Sequence, residues 1–311
     1  MRADVIEVAG LRKQYRRLRG GSQVAVDGLD MSVPEGGVFG FLGPNGAGKT
    51  TTIRCLLGLV APSAGSCRLL GADVGRDLPR VLGRVGSIVE TPALFPTMSG
   101  RRNLELLGRL HGIGPRRVTE TLERVGLAER SDDLVKRYSL GMRQRLGLAA
   151  ALLKDPEVLI LDEPANGLDP AGIKEIRDLL RGLGDEGRTV FVSSHLLSEV
   201  RQTCDRVAIL ARGRCVAAGP VAEVLANGHG PGLLVRLDDL DRGRAVLDAA
   251  GIPASPDGDR LRVALAPEEA ATVTQTLAGE GLYLTELRPD EADLEAVFLE
   301  LTAERPLEVA S

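Results

Sequence analysis

The sequence predicts an α/β fold in two domains. The larger covers residues 1–226, with a β-rich N-terminal part and a helical subdomain at about 98–154; the smaller is an α/β domain over residues 227–311. Three observations predict this. A glycine-rich turn, "GPNGAGKT", separates a strand-like run from a helix-like run. Two short apolar runs, "EVLILDEP" and "TVFVSS", flank a helical pattern and form a βαβ unit with buried parallel strands. After Ala226 the breaker "NGHGPG" interrupts the chain, and beyond it strand and helix patterns alternate.

In order along the chain, "DVIEVAG", "QVAVDGLDMSV" and "GVFGFLG" have β-branched content between glycine boundaries and read as strands. The basic run "LRKQYRRLRG", from Leu11 to Gly20, reads as a solvated surface loop. The glycine turn at Gly43–Gly48 leads into a helical run that starts at Lys49. From about Gly100 to Leu153 the pattern is helical: "RNLELLGRLHG" and "RRVTETLERVG" repeat leucine and valine at three- and four-residue spacing. "YSLGMRQRLGLAAALL" then sets a polar turn at the start of a buried helix, and helix N-termini attract anions. "PAGIKEIRDLLRGLG" is the helix of the βαβ unit. In the second domain "LLVRL", "RGRAVLDAAG", "LRVAL", "EEAATVTQTLAGEG" and "LYLTELRP" alternate strand and helix. A last helix at "DEADLEAVFLELT" carries a core-packing stripe of Leu294, Val297, Phe298 and Leu301.

Composition narrows the classes. With 311 residues, 43% of them hydrophobic, a core forms without staples. A net charge of −4 argues against a primarily nucleic-acid-binding chain. Cys55, Cys67, Cys204 and Cys215 form no C-x-x-C pair, and with only three histidines no disulfide framework or structural zinc site is expected. No apolar run approaches the roughly 18–20 residues of a membrane span, and "MRADVIEVAG" places an acid where a signal peptide has its apolar core. The expectation is a soluble, cytoplasmic chain; work at a membrane would need spans from another chain.

Chemistry concentrates in three places. In "GPNGAGKT" the loop of Gly43, Pro44, Asn45, Gly46, Ala47 and Gly48 binds the nucleotide, its glycines letting backbone N–H groups curl around phosphates. Lys49 places charge on the β/γ oxygens, and the hydroxyl of Thr50, followed by Thr51, suits Mg²⁺. In "EVLILDEP" a buried strand ends in two carboxylates, a costly arrangement unless a metal and a reacting water use them. Asp162 then holds Mg²⁺ and Glu163 orients and activates the water. His195 follows the strand "TVFVSS", and parallel strands deliver their C-terminal ends to one edge, so Lys49, Glu163 and His195 should meet there.

The order "GPNGAGKT", "YSLGMRQR", "LILDEPANGLDP", "VSSHLL" resembles the nucleotide-binding subunit of an ABC transporter, within the antibiotic and multidrug export ATPases that include the daunorubicin-resistance type. The terminal "DLEAVFLELT" resembles the end of that branch's accessory domain. The resemblance implies a P-loop NTPase fold of the ABC type, with ATP and Mg²⁺ as cofactors. It also implies a head-to-tail dimer in which each ATP lies between the phosphate loop of one copy and the signature turn of the other. Ser139, Gly141 and the helix start carrying Gln144 would face the partner's γ-phosphate. Asp169 would lie at the dimer contact, His195 would touch the γ-phosphate, and Tyr15 would sit where the family's adenine-stacking aromatic lies. Intact half-sites favour a homodimer, attached on the cytoplasmic face of the membrane to a permease encoded as a separate chain.

Departures from the family pattern are Leu140 and Met142, where the commoner signature has glycine and glutamine, and Glu90 in "SIVETPALFPTMS", where the usual glutamine contacts Mg²⁺ or water. Glutamate still ligates Mg²⁺ but adds negative charge near the γ-phosphate. The implied function is export of a small amphipathic compound. The alternative is a soluble family relative acting on ribosomes or nucleic acid; such proteins carry two cassettes or a long coiled-coil insertion, and neither is present. An unrelated GTPase or kinase lacks support, since no N-K-x-D motif is visible.

Overall fold

The computed structural model describes residues 4–16, 21–90, 92–226 and 232–289. The expected final helix and its stripe lie outside the described residues, as does most of the breaker after Ala226. Contacts divide the described chain between Val221 and Ala222 into two compact units.

The first unit opens with β1 (Asp4–Arg16), β2 (Ser22–Pro34), β3 (Gly37–Leu42), α1 (Lys49–Leu56), β4 (Ala64–Leu69) and β5 (Ala72–Asp73). It continues with β6 (Val85–Ile88), α2 (Gly100–Leu110), α3 (Pro115–Arg124), α4 (Leu140–Leu152), β7 (Val158–Asp162) and α5 (Pro170–Asp185). β8 (Thr189–Ser194), α6 (Leu197–Thr203), β9 (Arg206–Ala211) and β10 (Arg214–Pro220) follow, and α7 (Val221–Ala226) begins at the division, with all but its first residue in the second unit. An antiparallel sheet of order β2-β1-β4-β5 packs beside a six-stranded sheet of order β10-β9-β3-β8-β7-β6. They share one core, in which Ile6, Leu11 and Leu29 of the first sheet join Phe41, Ile160 and Phe191 of the second. All pairs from β9 to β6 in the second sheet are parallel.

Strand chemistry explains the layers. Parallel strands covered on both faces are apolar throughout, and every residue of β7 and β8 is buried. β1 instead mixes buried and exposed positions, as an antiparallel strand with one solvated face does, and its alternation breaks where its register shifts between Asp4 and Ile6 and between Val8 and Leu11. The basic run therefore is not a loop in its described part. Leu11–Arg16 continues β1, with Leu11 fully buried and Arg12 3.4 Å from Asp27. α2 and α3 bury one stripe each, Leu104 on α2 and Val118 and Leu122 on α3. α3 starts with Pro115 in its first turn, where no backbone donor is lost. Among the described residues, no helix is long and apolar enough to cross a membrane.

The second unit contains β11 (Leu233–Leu237), α8 (Leu240–Ala249), β12 (Ala254–Asp257), β13 (Arg260–Val263), α9 (Ala270–Gly279) and β14 (Leu284–Pro289). Its sheet order is β12-β13-β11-β14 with every neighbour antiparallel, the split βαβ arrangement of ferredoxin-like folds. Leu233, Val235, Leu261 and Val263 pack with Leu247 of α8 and Val273 and Leu277 of α9.

Burial pushes the thiols of Cys67 and Cys204 up to about 12. Against an ordinary value of about 8.5, the thiolate fraction near pH 8 drops by about three orders of magnitude. In the native protein both thiols should therefore resist a disulfide reagent at pH 8 and react only on unfolding. Stoichiometric labelling of either one without denaturant would contradict that burial.

Candidate active site

Strand register builds the site. Parallel pairing sets Leu42 beside Ser194 and Asp162 beside Ser193, so Gly43, Glu163 and His195 all emerge at one sheet edge. β6 pairs Ile88 with Leu161, so Glu90 leaves from the same edge.

The loop between β3 and α1 needs its glycines. Gly48 has φ +109°, and a Cβ there would lie 2.4 Å from the Ala25 carbonyl oxygen; one at Gly43 would lie 2.5 Å from that of Leu210. Gly48→Ala combines a strained backbone with that clash. It should lower stability by about 2 kcal/mol and abolish nucleotide binding, as read by denaturant unfolding and a fluorescent ATP analogue. Pro44, Asn45 and Gly46 are exposed, Ala47 is buried, and Thr50 and Thr51 are half-buried in the first turn of α1. That helix has no side-chain N-cap bond and no acid in its first turn, so its leading N–H groups are available to an anion.

Lys49 is only 5% exposed. A buried ammonium requires partners. Its Nζ donates to the carbonyl oxygens of Gly43 (2.6 Å) and Pro44 (3.3 Å), and lies 3.2 Å from Oε1 of Glu163. The other carboxylate oxygen of Glu163 is 3.0 Å from Nδ1 of His195. Thr50 Oγ1 donates to Asp162 Oδ2 at 2.7 Å. Ser193 Oγ donates to Asp162 Oδ1 at 2.5 Å and accepts the Glu163 N–H at 3.0 Å. Glu163 has φ +47°, the left-handed region, which costs a non-glycine residue about 1–3 kcal/mol. The Ser193 bond and the Asn166 N–H on the Glu163 carbonyl (3.1 Å) hold it there.

The other candidate residues stand apart from this network. Ser139 caps α4, its Oγ accepting the Met142 N–H at 3.2 Å, and Ser139 and Leu140 are exposed. Asp169 caps α5 in the same way, through the Gly172 N–H at 3.1 Å. The two turns are neighbours: a Cβ on Gly141 would lie 3.8 Å from Leu168 Cδ2. Among the described residues, no hydrogen bond or ion pair joins Ser139, Gly141 or Asp169 to Lys49, Asp162 or Glu163. Gln144 is buried, and its Oε1 has no hydrogen-bond partner among the described residues. Tyr15 sits at the end of β1 with its ring partly exposed and the Lys13 ammonium 5.1 Å from its centroid. The Glu90 carboxylate pairs with Arg54 of α1 and not with Thr50 or Asp162.

The family model described as "ABC transporter" matches residues 26–166. The chain is 41% identical over 304 residues to an uncharacterized ABC transporter ATP-binding protein, YhcH of Bacillus subtilis, covering 97% of this chain and 98% of that one. The chain belongs to the ABC transporter ATP-binding proteins. Another relative in the family, the daunorubicin resistance ATP-binding protein DrrA3 of Streptomyces coeruleorubidus, is 39% identical over 98% of each chain. The solved structure of cbiO1 from Clostridium perfringens, described as part of the ABC transporter complex cbiONQ, is 30% identical with a TM-score of 0.63 over 72% of this chain and 92% of its own.

This ABC ATPase is thus an ATP-hydrolysing enzyme, and its residues fit the nucleotide and metal that the family implies. Among the described residues, no group of three or more His, Cys, Asp or Glu could hold a metal by itself. Thr50 and Asp162 supply two oxygens, which suits Mg²⁺, an ion usually held by one or two carboxylates plus phosphate and water. Sequence reading missed Ser193, which holds both acids of the candidate site, through the Asp162 carboxylate and the Glu163 N–H. The available signal was two hydroxyls closing a strand, "TVFVSS", whose earlier residues include two valines and a phenylalanine. It also missed Arg54, which lies 36 residues from Glu90.

Proposed function

We propose that this chain is the power subunit of an exporter, hydrolysing ATP to move a small amphipathic compound (drug, antibiotic or lipid-like) through a permease encoded as a separate chain. One observation carries the reading: Lys49, Thr50, Asp162, Glu163 and His195 form one connected group at the sheet edge, while the Ser139 turn lies on another element without a link to it. Half a site at each of two places in one chain is what a head-to-tail homodimer completes. The proposed domain division is an ATPase domain over 1–226 with its helical subdomain at about 98–154, and an accessory domain over 227–311.

Each residue has a task in this reading. The Lys49 ammonium exchanges the Gly43 and Pro44 carbonyls for β- and γ-phosphate oxygens. Gly43 to Gly48 and Thr51 surround the phosphates, and Tyr15 offers its ring to the adenine. Thr50 and Asp162 hold Mg²⁺, which supplies positive charge on the phosphate oxygens. Glu163 accepts a proton from the attacking water, and His195, on its other carboxylate oxygen, reaches the γ-phosphate. Ser139, Gly141, Gln144 and Asp169 serve the partner's nucleotide. Glu90 reaches the metal only by releasing Arg54.

The similarity to a protein named for daunorubicin resistance supports the substrate class. The test is to find whether a multi-span membrane protein is encoded beside this chain and to reconstitute the two together in vesicles. ATP added on the ATPase side should drive efflux of an amphipathic dye, and Lys49→Ala should stop it. Recovery of the chain with ribosomes and with no membrane protein would defeat the proposal.

A further inference from the structure

The second unit has helices on one face of its sheet and a row of arginines on the other. Side chains alternate along each strand. Leu233, Val235 and Leu237 of β11 enter the core under the helices, so Leu234 and Arg236 face the opposite way. The same alternation on β13 places Arg260 and Arg262 on that opposite face. Cross-strand register puts Leu234 beside both Arg262 and Arg288, and Arg236 beside Glu286. Four arginines therefore meet three carboxylates: Asp259 pairs with Arg236, Glu286 with Arg260 at 3.2 Å and Arg288 at 3.1 Å, and Asp257 lies 3.7 Å from Arg262. Among the described residues of this face, that is four positive charges against three negative. At the centre Leu234 is 7% exposed although it is not part of the helix-side core. Arg236 Nε beside it is buried without a hydrogen-bond partner among the described residues.

We propose that this arginine face is the docking site for the chain's own residues 290–301. Charge is the first argument. The segment "DEADLEAVFLEL" holds five acids and no base. Patterning is the second. Leu294, Val297, Phe298 and Leu301 recur at the spacing of one helical stripe, an apolar line suited to Leu234 with acids on its flanks. Reach is the third. β14, an edge strand, ends at Pro289, so the segment starts at the rim of the face it would cover. Four strands about 4.8 Å apart span about 15 Å, and a twelve-residue helix about 18 Å. Docking there turns the unit from two layers into three and sets the acids of the segment against the arginine row around Leu234. This goes beyond the proposed function and does not depend on it.

The test uses the full chain carrying Leu234→Cys and Phe298→Cys under mild oxidation. The expected product is an intrachain disulfide joining the two positions in monomers. Adding Arg236→Glu and Arg262→Glu should slow its formation at least about tenfold, because attraction becomes repulsion. Only disulfide-linked dimers would mean a second copy occupies the face, and no linkage would mean the segment does not dock; either result overturns the proposal. A second measurement needs no variant. In wild-type protein a glutamate-specific protease should cut within 290–300 slowly at low salt, and about fivefold or more faster in 1 M salt, where surface attraction is screened. Fast, salt-independent cutting there would also overturn it.

Discussion

Glu163→Gln should bind Mg-ATP, accumulate as a stable dimer and hydrolyse near background. The side chain keeps its size, so the left-handed backbone at φ +47° and its bond to Ser193 need not change. What is lost is the negative charge, 3.2 Å from the Lys49 ammonium and 3.0 Å from His195 Nδ1. Without it no group at this position takes a proton from water, and a lost general base costs about 10²–10⁴-fold in rate. Removing the carboxylate also frees Lys49 from a competing anion, so nucleotide affinity should hold or rise. In the proposed head-to-tail dimer, unreacted nucleotide would then keep both halves together, because it would touch both only when they are closed. Phosphate release with gel filtration in the presence of ATP reads both effects. Brisk turnover would remove Glu163 from its assigned role, and loss of binding would point to a structural one.

Much of this site was legible because buried parallel strands leave a plain trace. "EVLILDEP" and "TVFVSS" are apolar until the residue at which they reach the sheet edge, so the change to acid, serine or histidine marks where the chemistry begins. The glycine loop is equally plain, since Gly43 and Gly48 approach neighbouring carbonyls too closely for any side chain. Other features left weaker traces. β12 is "ASPD", whose proline and aspartate are poor strand formers; it forms because β13 pairs with it residue for residue. The extension of β1 through "LRKQYR" looked like a loop because its exposed face is charged, while Leu11 alone marks the buried side. The hairpin of β9 and β10 turns on Arg212 and Gly213, both at positive φ, a signal carried by one glycine. The Arg54–Glu90 pair joins residues from a helix and a distant loop, and no local pattern announces such a contact.

Mixing two inactive variants should restore hydrolysis. Lys49→Ala removes the buried ammonium from the phosphate loop, and Gly141→Asp places a carboxylate in the signature turn. Each alone should fall to background. Gly141 is informative because its own chain does not require glycine there: φ is not positive, and a Cβ would meet nothing nearer than Leu168 Cδ2 at 3.8 Å. Gly141→Asp should therefore fold with near-normal stability, and its inactivity must come from a group outside the chain, the γ-phosphate held by a partner. In an equal mixture about half the dimers pair one variant with the other. In a head-to-tail arrangement each such dimer has one site with both defects and one with neither, so about a quarter of wild-type activity should return if the sites act independently. A face-to-face dimer with self-contained sites gives no such recovery, because every phosphate loop would still be used with its own signature turn. Activity that stays at background while mixed dimers are shown to form by mass would defeat the composite site. Recovery that rises with total protein concentration would show that assembly of two chains is what completes it.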